Sequence, residues 1–190
     1  MTTAVMAVTV SLPATAASAR TTELAPEQAA PVIAASTAPA ALRTHVRAVK
    51  TGIYDAGKLV ADAERACPTV HVLLEAIERT DLLVMVEVRN ATENGRAQTT
   101  MMGSRAGTRW LRVTVDAGRQ WREQAAFLAH ELRHVMEVAA APDVQDAPGF
   151  GRLYERIGRP LGGGHYETDA AVAAEHQALK EAYAPAGRRK

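Results

Sequence analysis

The sequence predicts an α+β fold, a small domain in which a short three-stranded sheet packs on one long helix and on further helices. Three observations carry that expectation. A valine-rich segment lies at Leu82–Arg89, and Arg109–Val115 alternates apolar and polar residues with period two. Apolar residues recur at helical spacing before them, at Val70, Leu73, Leu74 and Ile77, and after them, at Leu128, Leu132, Val135 and Met136. Turn-forming residues at Asn90–Gly95 and Gly103–Gly107 divide the middle of the chain into three strand-length pieces.

A chain of 190 residues suits one domain of ordinary size, or a smaller domain with a tail. Its 47% hydrophobic fraction leans on alanine and only 4% of residues are aromatic, so the core is expected to consist of Leu, Val, Ile and Met. A net charge of +1, with no basic block longer than Arg188-Arg189-Lys190, gives electrostatics no case for nucleic acid. Cys67 is the single cysteine, which excludes an intramolecular disulfide and a Cys-rich zinc site. Placed before Pro68, it reads as a small buried side chain.

Met1–Ala19 joins the apolar run Ala4–Leu12 to small residues in A-x-A spacing, the pattern of a secretory signal, although no Lys or Arg precedes the run. That run is too short to span a membrane, so the expectation is export, periplasmic or secreted, with no stable membrane insertion after cleavage. Residues 20–41 are rich in Ala, Pro and Thr, show no periodicity and read as a linker. The folded domain is expected over residues 42–190. Leu42–Val49 fits strand or helix equally. Lys58–Ala66 reads as a helix stopped by Pro68, and Thr69 as the N-cap of the next. Leu82–Arg89 is then a strand, Asn90–Gly95 a hairpin turn, Ala97–Met102 the return, and Arg109–Val115 a half-buried strand near a sheet edge, together a three-strand meander. Asp116–Arg119 leads into the long helix. Phe150, Leu153, Tyr154 and Ile157 predict a short helix ending at Gly158, after a loop at Asp146–Gly149. Gly162-Gly163-Gly164 reads as a hinge, and His165 opens a final helix to about Tyr183.

The long helix carries His130-Glu131-Leu132-Arg133-His134. At about 100° per residue the two histidines lie roughly 40° apart on one face, so both imidazoles can converge on one metal ion. Leu128, Leu132, Val135 and Met136 fall opposite and give the helix a core face. Glu131 lies alongside, placed to take a proton from an attacking water. A catalytic zinc ion takes three protein ligands and leaves one position open. Glu167 is the first choice for the third, on the final helix. Glu137, His165, Asp169 and His176 are its rivals; Glu137 is better suited to support a histidine from behind, and Asp169 fits an ordinary acidic helix start.

The strand, turn and helix carrying H-E-x-x-H, followed by a downstream element with Glu167, resemble the zincin metallopeptidases, and among them the gluzincins, over about Leu82–Tyr183. The resemblance implies a zincin-like fold and one Zn2+ held by His130, His134 and Glu167, with Glu131 as general base. The family's third-ligand helix often reads E-x-x-x-D, whereas the fifth position here is Ala171, so the aspartate that would support a histidine is missing. The metzincin pattern is excluded, because Glu137 and Ala140 stand where it requires glycine and histidine. The stretch around Tyr166–Ala171 is similar to short exported bacterial proteins with H-E-L-x-H.

The function expected from these residues is zinc-dependent hydrolysis of a peptide or protein substrate, with Glu131 passing a proton from water to the leaving amine. Arg109–Val115, as a cleft edge, would pair with an extended peptide, and Tyr154, Tyr166 and His165 are the candidates for stabilising the oxyanion. The alternative is a non-catalytic exported zinc-binding or interaction module, favoured by the small size left after the leader and linker.

Overall fold

The computed structural model describes residues 44–90 and 96–184. The leader and linker expected at 1–41, most of the Asn90–Gly95 turn and the basic tail lie outside the described residues.

The segment that fitted strand or helix begins with a strand, β1 (Val46–Ala48), and the small antiparallel ladder of β2 (Lys50–Thr51) and β3 (Tyr54–Asp55) follows. Asp55 caps α1 (Ala56–Ala66) by accepting from the Lys58 amide at 3.1 Å, and α1 ends at Cys67 because Pro68 cannot continue it. The N-cap of α2 (Pro68–Ile77) is Cys67 rather than Thr69. Proline at the first helical position costs no hydrogen bond there, so the cap moves ahead of it. The apolar stripe Val70, Leu73, Leu74 and Ile77 is buried, as is Cys67.

β4 (Leu82–Arg89), β5 (Ala97–Arg105) and β6 (Thr108–Asp116) belong to one sheet of order β1-β4-β6-β5. The meander expected from sequence is therefore corrected. β4 pairs with β6 in parallel, Val84 opposite Leu111, and with β1 in parallel on its other side. β5 pairs only with β6, antiparallel, and forms the edge expected of Arg109–Val115. The physical reason lies in composition and turn geometry. β4 is apolar on nearly every residue and suits a strand with two partners, whereas β5 carries Gln98, Thr99, Thr100 and Gly103. The tight turn joins β5 to β6, where Ala106 and Gly107 both take positive φ, 52° and 79°, as a two-residue hairpin requires.

The inward row of the sheet, Leu82, Val84, Val86, Val88, Leu111, Val113 and Val115 with Met101, shares one core with the helices. Across it lies α3 (Trp121–Ala139), which carries the H-E-x-x-H residues and buries Leu128, Leu132 and Val135. Its N-terminus is closed by Glu123, which accepts from the Gln120 amide at 3.2 Å. Its C-terminus is held by Arg109, a fully buried guanidinium whose Nη1 donates to the carbonyls of Val138 and Ala141, both at 2.8 Å, while Nε and Nη2 grip Asp81 at 2.7 Å each. The same two carbonyls also accept from the Ala141 and Val144 amides, so the guanidinium is a second donor to each and fixes the end of α3 against the sheet.

The loop expected at Asp146–Gly149 is the N-cap and first turn of α4 (Ala147–Ile157), with Asp146 accepting from the Gly149 amide. The glycine run is no hinge. It forms the turn of a hairpin between β7 (Arg159–Gly162) and β8 (His165–Glu167), with Gly162, Gly163 and Gly164 all at positive φ. The final helix, α5 (Asp169–Tyr183), consequently starts four residues later than expected, capped by Thr168, and Glu167 closes β8 instead of lying on a helix. Among the described residues no helix is long and apolar enough to cross a membrane. The α+β class stands.

Candidate metal centre

His130 and His134 leave α3 on the side that meets α5 and β8, and both are buried. Their Nε2 atoms stand 3.2 Å apart, and Oε1 of Glu167 lies 3.2 Å from the first and 3.7 Å from the second. Glu167 is oriented by its neighbour, since Oε1 accepts from the Thr168 amide at 2.9 Å. That amide opens α5, so the carboxylate also sits where the helix dipole favours negative charge.

The other nitrogen of each ring is spoken for. Nδ1 of His130 meets Oε2 of Glu175 at 2.8 Å, and Nδ1 of His134 meets Oε2 of Glu137 at 2.8 Å. A carboxylate at Nδ1 selects the tautomer with its proton there and leaves Nε2 as an acceptor. Two acceptor nitrogens and a carboxylate oxygen thus face one another across little more than 3 Å, an arrangement that repels itself unless a cation lies among them. Zinc bonds of about 2.0–2.1 Å in a tetrahedron place neighbouring ligand atoms roughly 3.3–3.4 Å apart, close to the three separations found. The buried group His130, His134 and Glu167 could hold a metal ion.

A proton is the alternative occupant, and the charges around His130 favour it. Burial alone would lower the His130 pKa, but hydrogen bonds to Glu167 and Glu175 outweigh it and push the value up to about 10. Burial likewise works against ionising Glu167, Glu175 and Glu137. Their histidine partners prevail and hold all three carboxyls below the usual range, helped by Thr168 at Glu137 and Arg96 at Glu175. The same carboxylates that favour a proton on His130 would favour a divalent cation, and the two compete for Nε2.

Each support is itself supported. Glu137 accepts from the Thr168 hydroxyl at 2.6 Å, while that oxygen accepts from the Ala171 amide and so caps α5 as well. Glu175 is ion-paired with Arg96 of the segment entering β5, and Arg96 lies over the Phe127 ring of α3. The Tyr154 hydroxyl donates to the His134 carbonyl at 3.2 Å, and its ring meets the imidazole edge-on. Burial, then Glu137, keep that phenol protonated. Its hydroxyl thus reaches both the backbone of α3 and the Glu137 carboxylate, and it braces His134 from behind. Glu131 is buried, and its Oε2 accepts from Thr99 of β5 at 2.7 Å.

Of the other residues singled out in the sequence, Asp169 and His176 are exposed and outside the converging group. Glu137 lies behind His134 and not among the ligand atoms. His165 and Tyr166 are half-buried on β8, Tyr166 packing against the core, and neither joins the group. Sequence reasoning missed Glu175, Thr99, Thr168 and Arg96. Glu175 had a readable signal: it interrupts the alanine row Ala171, Ala178 and Ala182 on the buried face of α5. Thr99 had another, as the polar member of the inward row Ala97, Thr99 and Met101. Glu175, one turn further along α5 than Ala171, meets His130 from behind. Comparison with family models, curated proteins and solved structures gives no match to this chain.

Proposed function

We propose that the chain is a zinc-dependent hydrolase, most directly a metallopeptidase of zincin type acting on peptide or protein substrates. The observation that carries the reading is the convergence of His130 Nε2, His134 Nε2 and Glu167 Oε1 within 4.8 Å of one another, beside a buried Glu131. Two histidines and one carboxylate are the donor set of zinc hydrolases with an open position. No fourth residue joins the group among the described residues, which favours an open, catalytic site over the closed site of a binding module.

Bound there, zinc would supply Lewis acidity toward a carbonyl and lower the pKa of a water. The chain's own residues do the rest. His130 and His134, with Nδ1 fixed by Glu175 and Glu137, present Nε2 in the required tautomer. Glu131 takes the proton of the attacking water and delivers it to the leaving amine. The open edge of β5 offers main-chain groups to an extended peptide, the role expected of Arg109–Val115. Export remains part of the proposal and rests on the Ala4–Leu12 run and the small residues after it.

The test combines metal analysis with hydrolysis. Wild type should carry one zinc per chain, Glu167→Ala should lose most of it, and Glu131→Gln should keep it while hydrolysing a fluorogenic peptide about a hundredfold more slowly or worse. Wild-type rates in Glu131→Gln, or full zinc in Glu167→Ala, would remove the reading.

A further inference from the structure

The general base in the proposed reaction is not held by its own helix. The Glu131 side chain is buried, and Thr99 donates its hydroxyl to Oε2 at 2.7 Å from across the interface between β5 and α3. Thr99 occupies an inward position of the edge strand, opposite Val113, where its neighbours in the row are Ala97 and Met101. An apolar residue would fit that row. A hydroxyl there reaches Oε2 and, at 3.4 Å, the Glu131 carbonyl, and it ties down one oxygen of the carboxylate.

The register adds a second observation. The Arg96 carbonyl accepts from the Asp116 amide at 2.8 Å, so Arg96 and Asp116 form a hydrogen-bonded pair of the β5–β6 ladder. Antiparallel pairs alternate, which places Gln98 and Thr100 in hydrogen-bonded pairs and turns the backbone N–H and C=O of Thr99 to the open edge. The residue whose side chain holds the base thus offers its main chain to whatever extends along β5.

Resting on the hydrolase reading, we infer that Thr99 is a positioning residue for Glu131, which fixes the carboxylate for proton transfer and links its alignment to occupancy of the β5 edge. The consequence is a split between kcat and KM. Removing the hydroxyl leaves the ligands, the edge and the carboxylate in place, and removes only the alignment.

The experiment compares wild type, Thr99→Val, Thr99→Ser and Glu131→Gln, all zinc-loaded, on one fluorogenic peptide cleaved by the wild type, with zinc content and thermal unfolding measured alongside. Thr99→Val should keep its zinc and cooperative unfolding, lose about 10–100-fold in kcat, and leave KM within a factor of about two. Thr99→Ser, which retains the donor, should recover most of the loss. The assignment is overturned if Glu131→Gln is inactive while Thr99→Val turns over at the wild-type rate, or if Thr99→Ser is as impaired as Thr99→Val. Failure of the hydrolase reading looks different: Glu131→Gln then matches wild type.

Discussion

At the scale of single residues, the candidate centre is governed by what lies behind its two histidines. Each histidine is held at Nδ1 by a glutamate, and each glutamate by a further group, Arg96 for Glu175 and Thr168 for Glu137. Supports of this kind fix ring orientation and raise ligand basicity, and their loss weakens metal binding by about 10–100-fold. Glu175→Ala should therefore lower zinc affinity by about that factor, measured by competition with a chromophoric chelator. Glu175→Gln should lose less, because its amide oxygen still accepts from Nδ1. A Glu175→Ala protein with wild-type zinc affinity would show that the 2.8 Å contact does nothing for the ligand. The sequence made His130, Glu131 and His134 legible because their spacing within one helix defines their geometry. Glu175 left a weaker trace, as the polar residue in the row Ala171, Ala178 and Ala182 of α5, because spacing within one helix does not say which residue of another element that row faces.

At the scale of elements, the placement of α3 depends on Arg109. Its side chain is 1% exposed and joins the first residues of β6 to the carbonyls that end α3 and to Asp81. Arg109→Met fills similar space and removes the guanidinium's hydrogen bonds to Asp81, Val138 and Ala141, a loss of about 1.5–3 kcal/mol to be read from the urea midpoint at unchanged m-value. The Asp81 contact also makes stability pH-dependent. The Arg109 guanidinium holds the Asp81 carboxyl below the usual range, so the stabilisation is complete above the unfolded value of about 3.9 and is lost as pH falls through the lower folded value. Asp81→Asn should accordingly be less stable than wild type near neutrality, and the gap should close on acidification. A gap that widens with acid would reverse the sign assigned here. Periodicity located these strands and helices but not their pairing. The apolar run of β4 is equally compatible with β5 or β6 as a neighbour, and what decides between them is the two-residue turn at Ala106-Gly107 together with the polar inward Thr99. The glycine run misleads for a related reason: three residues free to take positive φ make a hairpin turn as readily as a hinge.

At the scale of the whole molecule, the centre is where distant parts of the chain meet. α3 supplies His130, Glu131 and His134, β8 supplies Glu167, α5 supplies Glu175, and β5 reaches in through Thr99. This junction gathers the carboxylates of Glu131 and Glu167, both buried, and of Glu137 and Glu175, both half-buried, beside His130, His134 and Arg96. An ion bound to the native state alone would stabilise the fold by about 2.7 kcal/mol at a hundred times its dissociation constant. For a domain of this size each kcal/mol moves the midpoint by about 2–4 °C or somewhat more. Thermal unfolding should therefore fall by several degrees or more on chelation and return when zinc is restored. Glu167→Ala should lose that response while still unfolding cooperatively, because Glu167 is not itself part of the apolar core of sheet and helices. A chelator shift of wild-type size in Glu167→Ala would mean that the stabilising ion sits elsewhere, and the joining of α3, β8 and α5 through one metal would have to be given up.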